Sequence, residues 1–310
     1  MRSPPIAALV GPTASGKTEL ALALAREVPL EILVADSRQV YRGMDVATAK
    51  PDASARAAVP HHLIDLASPD EPFSLADWLV AARPLVPQIA ARGRLPLVVG
   101  GTGLYVSALL DGYQLEAPPP SPELRRRLSD EVEQLGLESL AERLRHLDPA
   151  AAARTDLRNP RRVTRALERS VHHAGRSTPP GAERRPGPMV VVGLRRPMAV
   201  LRRRIAQRAA GFFATGLLDE VRRLLAAGYG PGLPPMSGHG YREAARHLAG
   251  ECDLQEALAD MVRRTAQYAK RQMTWFRRDA RIVWLDAGDG PADDPLIVQQ
   301  AASLLSTLGR

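Results

Sequence analysis

Gly11-Pro-Thr-Ala-Ser-Gly-Lys17-Thr18 matches the pattern Gly-x4-Gly-Lys-[Ser/Thr] residue for residue. An apolar run, Ile6 to Val10, precedes it and an apolar-periodic run, Glu19 to Ala25, follows, so its context is strand, loop, helix. In that context Gly11, Thr13, Ala14, Ser15 and Gly16 turn successive backbone N–H groups inward, and with the helix N-terminus they cradle anionic oxygens. Lys17 adds a mobile point charge. The Thr18 hydroxyl is placed to ligate a Mg²⁺ that bridges two phosphates. The motif specifies a diphosphate or triphosphate without specifying ATP.

Two further polar features follow apolar runs. Asp36-Ser37-Arg38-Gln39 comes after Glu31–Ala35, and Gly100-Gly101-Thr102-Gly103 comes after Leu95–Val99. In an open parallel sheet, ligands bind beyond the carboxyl ends of the strands, so all three features are expected in one crevice. Asp36 has three readings: a turn or cap residue, a Mg²⁺ ligand, or a general base beside a phosphate-bound electrophile. Gly100 to Thr102 is either a plain strand-to-helix turn or a place where backbone and the Thr102 hydroxyl approach a ligand.

Arginine clusters in two further places. A helix opening at Asn159-Pro160 carries Arg162, Arg165 and Arg169 on one side and Val163, Ala166 and Leu167 on the other. Such a face is solvated by default and suits a polyanion. Near the C-terminus, Arg264, Arg271 and Arg278 recur every seven residues, as do Tyr268 and Trp275. Cations interleaved with aromatic rings suit single-stranded RNA, while Trp275 and Phe276 could equally plug a core.

The elements that must position these residues form an α/β chain. Strand-like runs lie at Ile6–Val10, Glu31–Ala35, His62–Leu66, Leu95–Val99, Met189–Leu194 and Arg281–Leu285. Helical patterns at Thr18–Arg26 and Ser74–Arg92 alternate with the early ones, and Ser74 reads as a cap. After Pro118-Pro119-Pro120 only helices follow: Ser121 caps one over Glu123–Gln134, then come Glu138–Leu147 and the Asn159 helix, until the Pro/Gly/Arg-rich stretch Arg176–Pro188. The expected architecture is a P-loop NTPase-like parallel sheet flanked by helices, residues 1–119 and 188–310, interrupted by a small all-helical insertion, residues 120–187.

The 310 residues suit roughly two domains of ~150 each. A hydrophobic content of 45% supplies a core. The single cysteine, Cys252, excludes an intrachain disulfide and a cysteine-based zinc site. The first apolar run is too short for a secretory signal, and no stretch approaches the ~20 apolar residues of a membrane span. A cytoplasmic monomer is the expectation. The net charge of +8 favours a polyanionic partner. Among the 42 basic residues only Lys17, Lys50 and Lys270 are lysine, and each falls in a stretch that looks functional.

Several of these stretches together resemble tRNA dimethylallyltransferases of the bacterial type. They are Gly11–Thr18, Asp36–Pro51, His61–Asp65, Gly100–Tyr105, Asn159–Glu168, Gly240-Tyr241-Arg242-Glu243 and Lys270-Arg271-Gln272-x-Thr274-Trp275. They span nearly the whole chain in order. The resemblance implies transfer of a dimethylallyl group from dimethylallyl diphosphate to N6 of adenosine 37 in tRNA, with the phosphate loop holding the prenyl donor instead of ATP. It implies Asp36 as the base for the N6 proton, Thr102 beside the adenine and the leaving group, and Arg208 joining Lys17 on the diphosphate. Ser37, Arg38, Gln39, Arg161, Arg162, Arg165, Ser237 to Arg242, Lys270, Arg271 and Trp275 would contact tRNA. Ser237-Gly238-His239 is the local departure from the family pattern. The rivals are a small-molecule kinase using ATP, prenylation of free AMP or ADP, and an RNA-binding NTPase. The basic insertion suits the first two poorly, and no apolar run ending in Asp-Glu supports the third.

Overall fold

The computed structural model describes residues 3–113, 122–172 and 187–309. Six strands form one sheet: β1 (Ile6–Val10), β2 (Leu30–Val34), β3 (His61–His62), β4 (Leu95–Gly100), β5 (Met189–Arg195) and β6 (Ile282–Asp286). Their order is β3-β2-β4-β1-β5-β6, and every pair is parallel. β1 and β2 are buried along their whole length. This explains their apolar character, since helices cover both faces of a parallel sheet, and the one exception, Glu31 in β2, is paired with Arg92 and His62. On one face Leu20, Leu24, Ile297 and Ala301 pack against Ala7, Leu9, Ile32 and Leu97.

The chain divides into two compact units, Met1–Gly112 with Arg184–Arg310, and Tyr113–Glu183. The first holds the sheet. The second has its own core, in which Leu128, Leu140 and Leu144 meet Val163, Ala166 and Leu167. The anticipated boundary at 119–120, Pro118-Pro119-Pro120, the Ser121 cap and most of Arg176–Pro188 lie outside the described residues.

Most elements fall within a residue or two of expectation. Ser74 does cap the Leu75–Ala91 helix, through a reciprocal capping box with Asp77. The third strand is the clear exception: only His61–His62 pair in place of His62–Leu66. Leu63 and Asp65 adopt φ of 68° and 57°, which no pleated strand tolerates. The segment instead turns Asp65 towards Lys50. The helices anticipated at 123–134 and 138–147 are both present, within Pro122–Leu147, and are separated at Gly136, whose φ of 82° and ψ of 166° are not helical. The helix Pro295–Ser306 lies beyond the sequence expectations, although Asp294 caps it and Pro295 opens it with the same cap-and-proline signal as Asn159-Pro160.

Candidate active site

The loop between β1 and the Lys17–Glu27 helix is shaped by conformations that only small residues tolerate. Gly16 has φ 101°, Ala14 has φ 62°, and a Cβ on Gly11 would lie 2.4 Å from the Leu194 carbonyl oxygen. The Lys17 ammonium donates to the Pro12 carbonyl at 2.8 Å. Burial pushes its pKa down to about 7, and Arg208 pushes the same way while Asp36 opposes them. Arg208 lies over the Phe212 ring, and among the described residues it has no hydrogen-bond or ion-pair partner. Burial lowers its pKa too, against the pull of Asp36 and Glu19. The Ser15 hydroxyl is buried with nothing to bond. Two underneutralised cations and an unused hydroxyl thus surround the cradle, which is what a diphosphate would satisfy. Thr18 is exposed in the first helical turn.

Arg196 was not singled out from sequence. Its buried guanidinium donates to the carbonyls of Ser15, Ala287, Gly288 and Gly290, bracing the phosphate loop from behind. Arg204 does likewise to the Ala14 carbonyl.

The second and fourth strand ends meet this loop. A Cβ on Gly100 would lie 2.0 Å from the Ala35 carbonyl oxygen, so only glycine lets these strand ends close up. The Asp36 carboxylate accepts from the backbone N–H groups of Arg38 and Gln39 through one oxygen, Oδ1, at 2.8 and 3.4 Å. Its Oδ2 has no partner among the described residues. Ser37 N–H donates to the Thr102 hydroxyl at 3.1 Å, which ties the two strand-end loops together. The turn and base readings of Asp36 are therefore compatible, one oxygen serving each. The Tyr268 side chain lies against Thr102 and Gln272, and burial pushes its hydroxyl up to about 12.

The C-terminal motif sits on the Leu254–Phe276 helix, whose faces divide cleanly. Ala269, Gln272, Met273 and Phe276 are buried, whereas Lys270, Arg271 and Trp275 are exposed and line a groove of about 430 Å³. Trp275 is 41% exposed, yet its ring edge lies where a Cβ on Gly103 would go. It therefore serves both packing and surface. A lone glutamine on the apolar stripe was the signal that could have marked Gln272.

The structure corrects several expectations. Tyr241 is 1% exposed and donates to Glu220 at 2.6 Å, so it cannot present itself to an RNA. Gly240 beside it is buried, with φ 93° and Ala47 2.7 Å from where its Cβ would be. Of that trio only Arg242 reaches solvent. Glu220, itself buried, also accepts from the Asp45 and Val46 N–H groups, so it locks the Asp45–Ala47 loop to Gly240-Tyr241. The Gln39 amide is spent on the Thr48 and Ala49 carbonyls. Lys50 is an internal pin between the Tyr41 carbonyl, Asp45 and Asp65. Arg38 reaches the Pro234 carbonyl and the Ser237 hydroxyl. Together with Arg264 and Arg271 it surrounds His239, whose pKa falls to about 4, mostly through burial.

In the second unit, Arg161, Arg162, Arg165 and Arg169 are exposed on the Pro160–His172 helix, with Val163, Ala166 and Leu167 buried on its other face. Arg165 pairs with Glu168 at 3.1 Å and Arg162 with Asp156 at 3.7 Å. Among the described residues no helix is long and apolar enough to cross a membrane.

Comparison with known proteins places this geometry. The IPP transferase family model matches residues 39–279, and an isopentenyl transferase model matches residues 4–59. The chain is 48% identical over 290 residues to a tRNA dimethylallyltransferase of Syntrophobacter fumaroxidans, covering 92% of this chain and 84% of that protein. It is 47% identical over 306 residues to one from Roseiflexus sp., with 97% of each covered. The solved tRNA isopentenylpyrophosphate transferase of Bacillus halodurans superposes with a TM-score of 0.73 at 37% identity, over 99% of this chain and 97% of that one. With a family model spanning well over half its length and relatives near half identical across nearly all of it, this chain belongs to the IPP transferase family.

Proposed function

We propose that the protein transfers the dimethylallyl group of dimethylallyl diphosphate to N6 of an adenosine in tRNA, at position 37 beside the anticodon. The observation that carries this is the meeting of Lys17 and Arg208 with the Asp36 carboxylate: among the described residues neither cation has an anionic bond partner and Oδ2 has none at all. The relatives' names supply the prenyl group and the tRNA.

The donor ionises when its leaving group is stabilised. The loop N–H groups, Lys17 and Arg208 hold the diphosphate oxygens and oppose the charge that grows as the C1–O bond breaks. N6 forms the new bond to C1, the diphosphate departs with the electron pair, and Asp36 Oδ2 receives the N6 proton. Thr102, held by Ser37, stands between the two substrates. An adenine must leave the anticodon stack to reach Asp36, at a cost of a few kcal/mol. Arg38, Arg242, Lys270, Arg271 and Trp275 on the first unit, and Arg161, Arg162 and Arg165 on the second, offset that cost by holding the RNA. Ser37 contributes through its backbone, and Gln39, Gly240 and Tyr241 contribute by fixing the loops.

The donor set suits a magnesium ion held chiefly by substrate oxygens. Thr18 offers one hard oxygen, and among the described residues no group of three His, Cys, Asp or Glu forms an all-protein cage. Bound there, the ion would add positive charge against the leaving diphosphate.

The test is transfer of label from dimethylallyl diphosphate to unmodified tRNA, run beside free AMP as acceptor and beside ATP, with and without a chelator. Label on tRNA that disappears when adenosine 37 is changed is the expected result. Label on AMP alone, or ATP consumption without transfer, overturns the proposal.

A further inference from the structure

We infer that Gln272 is a positioning residue: its side-chain amide straps the phosphate loop to the Gly101 loop and so sets the separation of donor and acceptor. The inference rests on the function proposed above and goes beyond it.

Gln272 is buried at 6% exposure. Its Oε1 accepts from the Thr13 N–H at 2.8 Å, and its Nε2 donates to the Gly101 carbonyl at 2.9 Å. Thr13 N can only donate and the Gly101 oxygen can only accept, so the amide has a single satisfactory orientation. The two partners belong to different catalytic loops. Thr13 lies in the diphosphate cradle, whereas Gly101 immediately precedes Thr102. The amide lies flat on the second loop, because a Cβ on Gly101 would come within 2.2 Å of Nε2.

The side-chain chemistry is selective. A spanning group must accept at one end and donate at the other, fit beside Lys17 without adding charge, and reach both loops from one helix position. Asparagine is one methylene shorter, and glutamate loses the donor while adding an anion near the diphosphate. Three residues further along the same helix, Trp275 packs against Gly103, so the acceptor loop is held at two points one turn apart. Just before Gln272 the same helix turns Lys270 and Arg271 outward. One rigid element thus carries an RNA-facing side and a side that fixes both reacting loops. A displacement of about 1 Å between reacting groups costs about 100-fold in rate, so the strap's effect belongs in the chemical step.

The test compares Gln272→Met, Gln272→Glu and Gly101→Ala with the wild type, by three readouts. These are single-turnover transfer to tRNA, calorimetric binding of inorganic diphosphate, and tRNA affinity by filter binding. Gln272→Met should slow transfer about 100-fold. It should also weaken diphosphate binding about tenfold, as expected for a misplaced cradle N–H, and leave tRNA affinity unchanged. Gly101→Ala, which pushes the amide away from the other side, should slow transfer too, and the double variant Gln272→Met/Gly101→Ala should fall short of the sum. Gln272→Glu, which keeps the acceptor and loses the donor, should also be slow. Wild-type diphosphate binding and rate in Gln272→Met, or fully additive losses in the double variant, would overturn the strap. So would loss of tRNA affinity in step with rate, which marks a residue needed only for the fold. Should Gln272→Met not fold, Gly101→Ala and Gln272→Glu decide by the same readouts. Diphosphate binding reports on the strap even if the wild type transfers nothing to tRNA, so the two readings fail separately.

Discussion

Replacing Asp36 by Asn separates the two duties of that carboxylate. Oδ1 holds the turn by accepting from the Arg38 and Gln39 N–H groups, and Oδ2 has no partner among the described residues. An asparagine in the same rotamer keeps the accepting oxygen and puts an NH₂, which has no useful basicity, where Oδ2 was. The turn should survive and the base should not. Loss of a general base costs about 10²–10⁴ in rate, which at 1.36 kcal/mol per decade is roughly 3–5 kcal/mol of barrier. Asp36→Ala removes the turn bonds as well, adding about 1 kcal/mol of lost stability by analogy with a deleted cap. A second consequence has the opposite sign. Asp36 now offsets the charge of Lys17 and Arg208, so Asp36→Asn should bind inorganic diphosphate more tightly than the wild type. The assays are single-turnover transfer with saturating tRNA, calorimetric titration with diphosphate, and thermal melts. A rate for Asp36→Asn within tenfold of wild type would refute the base assignment. Weaker diphosphate binding would refute the electrostatic argument.

Tyr241→Phe removes one of the donors to the buried Glu220 Oε1, leaving the Asp45 and Val46 N–H groups, so stability should fall by about 1–3 kcal/mol, as for a lost bond to a charged group, with tRNA affinity retained. A melt unchanged from wild type alongside weakened tRNA binding would restore Tyr241 to the RNA surface. Removing Arg162 and Arg165 together should weaken tRNA binding and flatten its log–log salt dependence by about 0.7–0.9 per lost phosphate contact. An unchanged slope would leave those arginines to their partners Asp156 and Glu168.

Local rules made much of this molecule legible. The Gly11–Thr18 pattern, the Ser74 cap and the Asn159-Pro160 helix start are signals whose chemistry is complete within a few residues, and the structure shows each in place. The parallel-sheet rule brought Asp36 and Thr102 to the phosphate loop although 66 residues of chain separate them. Contacts that close at long range left no such mark. Gln272 meets Thr13 across 259 positions, Arg196 meets Ser15 across 181, and Glu220 meets Val46 across 174. A buried amide or guanidinium looks, in sequence, like any surface polar residue until its burial is known. The same blindness affects Tyr241, which the family resemblance assigns to tRNA, and Lys50, which stands in a stretch that looks functional: each serves a neighbouring loop. His62–Leu66 is not a strand because Leu63 and Asp65 take positive φ, and Asp65 there meets Lys50, a contact that periodicity cannot see.

The Arg196 brace has a consequence for how the protein is made. The phosphate loop is synthesised long before the residues that brace it: three of the four carbonyls that hold Arg196 belong to residues 287 to 290. Gly16 also rests against Ala292. The brace therefore closes only once residue 290 has emerged, and β5, which runs into Arg196, has paired with β1. Nascent chains shorter than about that length would carry the motif without the braced loop. Synthesis order thus separates the appearance of the motif from the completion of its brace.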